Sequence, residues 1–145
     1  MKCLLQRVMK ASVEVDGAVV SEIGAGLLVF VGIEPADSGK TVTRMTERLL
    51  SYRVFADETG KMNLNVCHVS GAILLVPQFT LAADTARGNR PNFSSAAPPE
   101  LARKLCGGLA GSLRAEKLTV AEGKFGAHMH ISSVNDGPVT FLIEA

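Results

Sequence analysis

Seven consecutive residues, Leu27-Leu28-Val29-Phe30-Val31-Gly32-Ile33, carry no polar side chain. A strand with one wet face alternates apolar and polar residues. An unbroken run of this kind therefore reads as a central strand covered on both faces. A second run, Ala72-Ile73-Leu74-Leu75-Val76, stops at Pro77, which has no N–H to give to a ladder. Strands buried on both sides demand layers above and below them.

Around these runs the period of the sequence changes several times. Ala11-Ser12-Val13-Glu14-Val15 alternates and meets Asp16-Gly17, the dipeptide of a tight hairpin, before Val19-Val20-Ser21-Glu22-Ile23 returns. Between residues 38 and 55, Val42, Met45, Leu49 and Tyr52 recur at helical spacing, with Arg44, Glu47 and Arg48 on other faces. Asp37 or Ser38 stands where the N-cap of that helix belongs. Asp57-Glu58-Thr59-Gly60-Lys61 is a polar turn. Pro98-Pro99-Glu100 opens a second helix carrying Leu101, Leu105, Leu109 and Leu113. Gly107-Gly108 inside it costs roughly 1 kcal/mol per glycine relative to alanine. Further strands are expected near residues 118–120, 129–134 and 139–143. The stretch 84–99, rich in Gly, Pro, Ser and Asn, is a long loop of the kind that carries function in small domains. The pattern predicts one mixed α/β domain over residues 1–145, with two helices covering a strongly curved sheet.

At 47% apolar and 20% charged, the chain has the composition of a globular domain that needs neither disulfide nor metal to fold. Cys3, Cys67 and Cys106 are odd in number and form no C-x-x-C pair, which reads as reduced thiols in a cytoplasmic protein. Arg7 and Lys10 interrupt the apolar residues near the N-terminus, so neither a leader nor a membrane span is expected. A net charge of +1 gives no broad basic field and argues against a general nucleic-acid coating protein. It leaves room for an enzyme that touches only the tip of an RNA.

Four constellations carry chemistry. His128 and His130 share a face if they lie on a strand, and with His68 they offer the three nitrogens of a catalytic zinc; no carboxylate or cysteine stands beside them at ligand spacing. Cys67-His68 as nucleophile and base fails if both lie on a strand, because neighbours there point to opposite faces. Pro77-Gln78-Phe79-Thr80-Leu81 follows a buried strand directly. It reads either as a bulge or as a turn whose freed N–H groups can face an oxyanion. Thr80 as nucleophile has no histidine or lysine close in sequence to activate it. Asn135-Asp136-Gly137-Pro138-Val139-Thr140 reads, taken alone, as a turn between two strands. There is no G-x-S-x-G elbow and no phosphate loop.

Several blocks, weak singly, are specific in order. Leu5-Gln6-Arg7-Val8, Ala11-Ser12-Val13, Gly24-Ala25-Gly26-Leu27-Leu28, Gly60-Lys61-Met62-Asn63-Leu64-Asn65, Gln78-Phe79-Thr80-Leu81, Arg90-Pro91 and Asn135-Asp136-Gly137-Pro138-Val139-Thr140 resemble the D-aminoacyl-tRNA deacylases. The resemblance runs from Leu5 to the C-terminus. It implies a three-layer α/β fold of curved, barrel-like, mostly antiparallel sheets with two covering helices. It also implies an ester hydrolase acting on D-aminoacyl-tRNA and on glycyl-tRNA(Ala), with no cofactor. Such an enzyme is a cytoplasmic homodimer that binds the 3′ end of tRNA, and neither DNA nor a membrane.

The same resemblance assigns roles. Gln78, Phe79 and Thr80 match the catalytic wall, with Phe79 and Ala97 offering main-chain groups to the substrate ammonium. Gly137-Pro138, expected to be cis, would enter the partner's site and exclude L-side chains with its carbonyls, and Arg7 would orient it. Phe125 and Met129 match the terminal-adenosine pocket, where stacking on an aromatic ring is worth about 1–3 kcal/mol. Water activation falls to the substrate's own 2′-hydroxyl, with Thr80 as nucleophile ranked second. Two positions depart from the family pattern: Pro77, where most bacterial members carry serine, and His128, in place of a common acidic residue. A non-catalytic RNA-end binding module and a three-histidine metallohydrolase are the competing readings.

Overall fold

The spine of the molecule is β1, Lys2–Val15, which pairs along both edges. The structure, a computed structural model, describes residues 1–86 and 88–145. On one edge of β1, its first half pairs with β3 (Gly26–Gly32) and its second half with β2 (Ala18–Ile23), both antiparallel. Asp16 and Gly17, at φ 53° and 79°, form the tight turn between β1 and β2 that their dipeptide predicts. The other edge pairs antiparallel with β8, His130–Glu144. β6 (Ala72–Pro77) adds to β3 in parallel, and β7 (Val120–Glu122) adds to β6 in parallel. β2 comes round against β6 and β7, so the sheet curls towards a barrel.

The two apolar runs sit where their patterning requires. In β3, Leu27, Val29 and Val31 pack towards the helices, while Leu28 lies in a second core inside the curl. In β6, Ile73 and Leu75 face the helices and Leu74 and Val76 face inward. Neither face meets water, hence no polar alternation. The helix layer is α1 (Gly39–Ser51) and α2 (Pro99–Ala115), which bring Met45, Leu49, Leu109 and Leu113 into the first core with no exposure. Before α1, the Ser38 N–H donates to Thr41 Oγ1 at 3.1 Å, half of a capping box, while Asp37 accepts from the Glu34 N–H instead.

β1 changes allegiance midway. Cys3 and Leu5 belong to the helix-side core, but Ala11, Val13 and Val15, also odd-numbered, belong to the inner one. The register shift in the β1–β8 ladder between Val8 and Lys10 makes the switch: two steps along β1 answer one along β8, and an extra residue turns every later side chain to the other face. The ladder jumps from Gln6↔Thr140 to Val8↔Asn135, so Arg7 alone stands opposite residues 136–139. Here the structure corrects the sequence reading. The Asn-Asp-Gly-Pro segment does not separate two strands; it is a main-chain bulge inside one continuous strand. β7 likewise starts at Val120, not before it.

One hairpin went unforeseen. β4 (Phe55–Ala56) and β5 (Met62–Leu64) pair across the polar turn. Asp57 organises that turn: its Oδ1 accepts from the Thr59 N–H and hydroxyl and from the Lys61 N–H, and its Oδ2 from Asn63 Nδ2. The Thr59 hydroxyl foremost, then Asn63, hold its carboxyl down at about 2.

A carboxyl held below its unfolded value stabilises the fold fully above about pH 4 and loses that contribution as pH falls towards 2. Asp57→Asn is therefore expected to flatten the loss of stability between pH 4 and 2 in urea titrations; an unchanged pH dependence contradicts this. In α2, Gly107 is exposed and a Cβ built there meets nothing within 4 Å. Gly107→Ala is expected to raise stability by roughly 0.5–1 kcal/mol, measured as an upward shift in urea midpoint at constant m.

Candidate active site

At the end of β6 the chain leaves the sheet. Pro77 is its last paired residue, opposite Val31, and the Gln78 N–H makes one more tie to Val31 O at 2.8 Å. Residues Phe79–Ala82 then coil into a single 3-10 turn. Phe79 and Thr80 are its first residues, so their N–H groups precede its first internal bond, Leu81 N–H to Gln78 O. The turn lies hard against the end of β3 because Gly32 has no side chain. A Cβ there would come 2.8 Å from Leu81 Cβ and 3.2 Å from Gln78 O.

The long loop is pinned rather than free. Asp84 and Asn92 exchange main-chain hydrogen bonds, the Ser95 hydroxyl donates to Ala82 O, and the Ala97 N–H donates to Ile33 O at 3.0 Å. This folds Ala97 back beside the end of β3 and sets Phe93 edge-on to the exposed Phe79, with ring centroids 5.1 Å apart.

Between the turn, the start of α2 and the segment before β8 lies a cavity of about 440 Å³. Its walls bring together Gln78, Phe79, Ala97, Phe125 and Met129, five of the residues singled out in the sequence. Val31, Ile33, Ala102, Cys106 and Ile131 add an apolar lining that the sequence reading had not assigned. Their only signal was membership in buried periodic segments. Gly123 lets the last wall close, since a Cβ there would sit 2.9 Å from Met129 Sδ. The size and apolar character suit a small organic moiety held by a few polar groups.

The walls are poor in side-chain chemistry. Among the described residues they contain no carboxylate, lysine, serine or threonine. Burial, then the charge of Glu122, pushes the Cys106 thiol up to about 11, so it stays protonated and is no nucleophile at neutral pH. His128 lies at the exposed rim, its ring edge-on to His130 at 5.1 Å. Thr80 is not part of the lining; its hydroxyl accepts a hydrogen bond from Gln78 Nε2.

Cys67 and His68 lie in a turn, not on the strand that the sequence argument assumed. Asn65 Oδ1 accepts the His68 N–H, and His68 Nδ1 accepts the Asn65 N–H at 3.1 Å. Among the described residues, no three His, Cys, Asp or Glu side chains gather as a metal site. No helix of the described residues is long and apolar enough to cross a membrane.

Arg7, Gly137 and Pro138 line none of that cavity. Arg7 Nη1 donates to Val54 O at 2.5 Å, and Nε donates to Asp136 O at 2.9 Å with Asp136 Oδ2 at 3.0 Å. The Gly137-Pro138 peptide bond is cis, and both residues are exposed. Asn135, whose role spacing alone does not reveal, closes the bulge by donating Nδ2 to Arg7 O at 3.3 Å and Val139 O at 3.4 Å. A Cβ on Gly137 would lie 2.1 Å from Asn135 Oδ1 and 2.6 Å from Val139 N. Glycine is thus required here by the chain's own main chain.

The family described as D-Tyr-tRNA(Tyr) deacylase matches residues 4–144. A D-aminoacyl-tRNA deacylase of Azotobacter vinelandii is 57% identical over 145 residues, 100% of either chain. One of Teredinibacter turnerae is 50% identical over the same span, again 100% of both. A solved structure titled c-Myc DNA Unwinding Element Binding Protein superposes with a TM-score of 0.94 at 40% identity, covering 100% of this chain and 99% of that one. A second, titled as a probable eukaryotic D-amino acid tRNA deacylase, gives 0.86 at 15% identity over 99% and 98%, a likeness of fold alone. The mixed α/β architecture expected from the sequence is the one these structures share.

Gly32→Ala is expected to push the 78–82 turn off β3 and to cost about 1–3 kcal/mol. Amide shift changes concentrated in residues 78–82 and 97 would reveal it; shifts spread evenly through the sheet would count against a local wedge.

Proposed function

The chain belongs to the D-Tyr-tRNA(Tyr) deacylase family, and on that premise we propose that it hydrolyses the ester joining a D-amino acid to the 3′ end of tRNA. The observation that carries the reading is the cavity under the Gln78–Thr80 turn, which gathers Phe79, Ala97, Phe125 and Met129 from three separate segments. Phe125 stacks on the terminal adenine beside Met129, and the ester reaches the turn, where Phe79 and Ala97 hold the ammonium through main-chain groups.

Ester hydrolysis needs a proton acceptor for water and donors for the tetrahedral oxyanion. Among the described residues the walls offer no carboxylate or lysine, and the Cys106 thiol is held protonated. Main-chain N–H groups of the 3-10 turn supply the oxyanion donors, which are worth several kcal/mol when preorganised. The vicinal 2′-hydroxyl of the terminal ribose assists the attacking water. Thr80, bonded to Gln78 and outside the lining, shapes the turn and is not the nucleophile.

Stereoselection falls to Gly137-Pro138 of a second copy of the chain. The motif is exposed and absent from its own subunit's cavity, and the outer edge of β8 has no strand partner among the described residues. Val134 and Leu142 are exposed on that same strand. A long unpaired edge with apolar side chains favours burial against another copy. Carbonyls of the inserted turn then occupy the space an L-side chain needs and leave a D-substituent free. Glycine has no side chain to reject, so glycyl-tRNA(Ala) is a substrate too. The enzyme acts as a cytoplasmic homodimer without a cofactor.

Incubation with D- and L-tyrosyl-tRNA tests the reading: rapid release of the D-amino acid and a far slower L-reaction are expected. Equal rates on both, or tight binding without turnover, contradict it, the latter favouring a binding module. Thr80→Ala is expected to keep kcat within about threefold, whereas Phe125→Ala raises KM by roughly tenfold through lost stacking. Abolition of turnover by Thr80→Ala would restore the nucleophile mechanism.

A further inference from the structure

Arg103 stands over a ring of the cavity wall, and the deacylase reading does not use it. It lies on α2 between Ala102 and Cys106, which face the cavity, and is itself exposed. Its guanidinium carbon stands 4.6 Å from the centroid of the Phe125 ring. Among the described residues it has no salt bridge and no hydrogen-bond acceptor, and Glu100, one helical turn earlier, does not pair with it.

A guanidinium held over an aromatic ring by cation–π attraction still has N–H groups to offer, and its planar fork matches two phosphate oxygens. The 5′-phosphate of a nucleotide hangs from the same ribose whose base enters the pocket, so with the base against Phe125 that phosphate lies at the rim. We propose that Arg103 binds the phosphodiester on the 5′ side of the terminal nucleotide, so that the site reads a nucleotide and not merely a nucleoside. This rests on the assignment of the Phe125 pocket to the terminal adenosine. It also fits the net charge of +1, because one well-placed cation does at the tip what a basic field does along a backbone.

The test compares adenosine with adenosine 5′-monophosphate as ligands by titration calorimetry or amide shifts, from low to moderate salt. The wild type is expected to bind the monophosphate about tenfold more tightly, with a salt slope steeper by ~0.7. Arg103→Ala is expected to bind the two alike while retaining adenosine affinity, and Arg103→Lys to keep part of the preference. With tRNA substrates, Arg103→Ala raises KM and leaves kcat in place. A wild type that does not distinguish the two ligands overturns the proposal, as does an Arg103→Ala variant that still does. Equal loss of both ligands on Arg103→Ala also overturns it, because Arg103 would then merely support the ring. If adenosine binds neither protein, the pocket assignment itself falls; if it binds and the phosphate adds nothing, only the role of Arg103 does.

Discussion

One guanidinium ties the working parts of this fold together. Arg7 sits just before β1 passes from the helix-side core to the inner core, opposite the bulge at residues 136–139. Its side chain is only 15% exposed, so its charge is largely withdrawn from water and must be met by acceptors. Val54 O, Asp136 O and the Asp136 carboxylate meet it. The cost of burying the charge thereby becomes geometric: moving the bulge would strand a largely buried cation. Asn135 completes the closure from the other side, bonding to the main chain of Arg7 itself.

The cavity follows a similar economy of side chains. Pro77 ends a ladder, Gly32 admits a tight turn, and the Ala97 N–H reaches Ile33 O, so main chain from three segments converges around an apolar hole. A site of this kind orients by shape and by fixed dipoles. Among the described residues its walls offer a protonated thiol and a rim histidine but no carboxylate or lysine.

Much of this was legible in the sequence, for identifiable reasons. The doubly buried strands, the Asp16-Gly17 hairpin, α1 and the Pro98-Pro99 start of α2 all follow from local patterning or turn chemistry that packing reinforces. The failures have separate physical causes. Asn-Asp-Gly-Pro has the composition of a turn, and only its pairing with β1, far away in sequence, makes it a bulge within a strand. Cys67-His68 sits in a turn because Asn65 bonds the chain locally. The requirement for glycine at position 137 comes from Val139 N in the same chain. Cys106 and Ile131 enter the cavity, and Arg103 reaches Phe125, through contacts that no spacing along one segment encodes.

The most direct test of a main-chain gate held by Arg7 is the ratio of D- to L-tyrosyl-tRNA hydrolysis in Arg7→Lys. Lysine keeps the charge but lacks the planar fork that spans Val54 O and Asp136. The account predicts that the ratio falls by about tenfold or more while the chain stays folded, because a loosened bulge no longer excludes the L-side chain. A ratio equal to that of the wild type, in a folded variant, would contradict it.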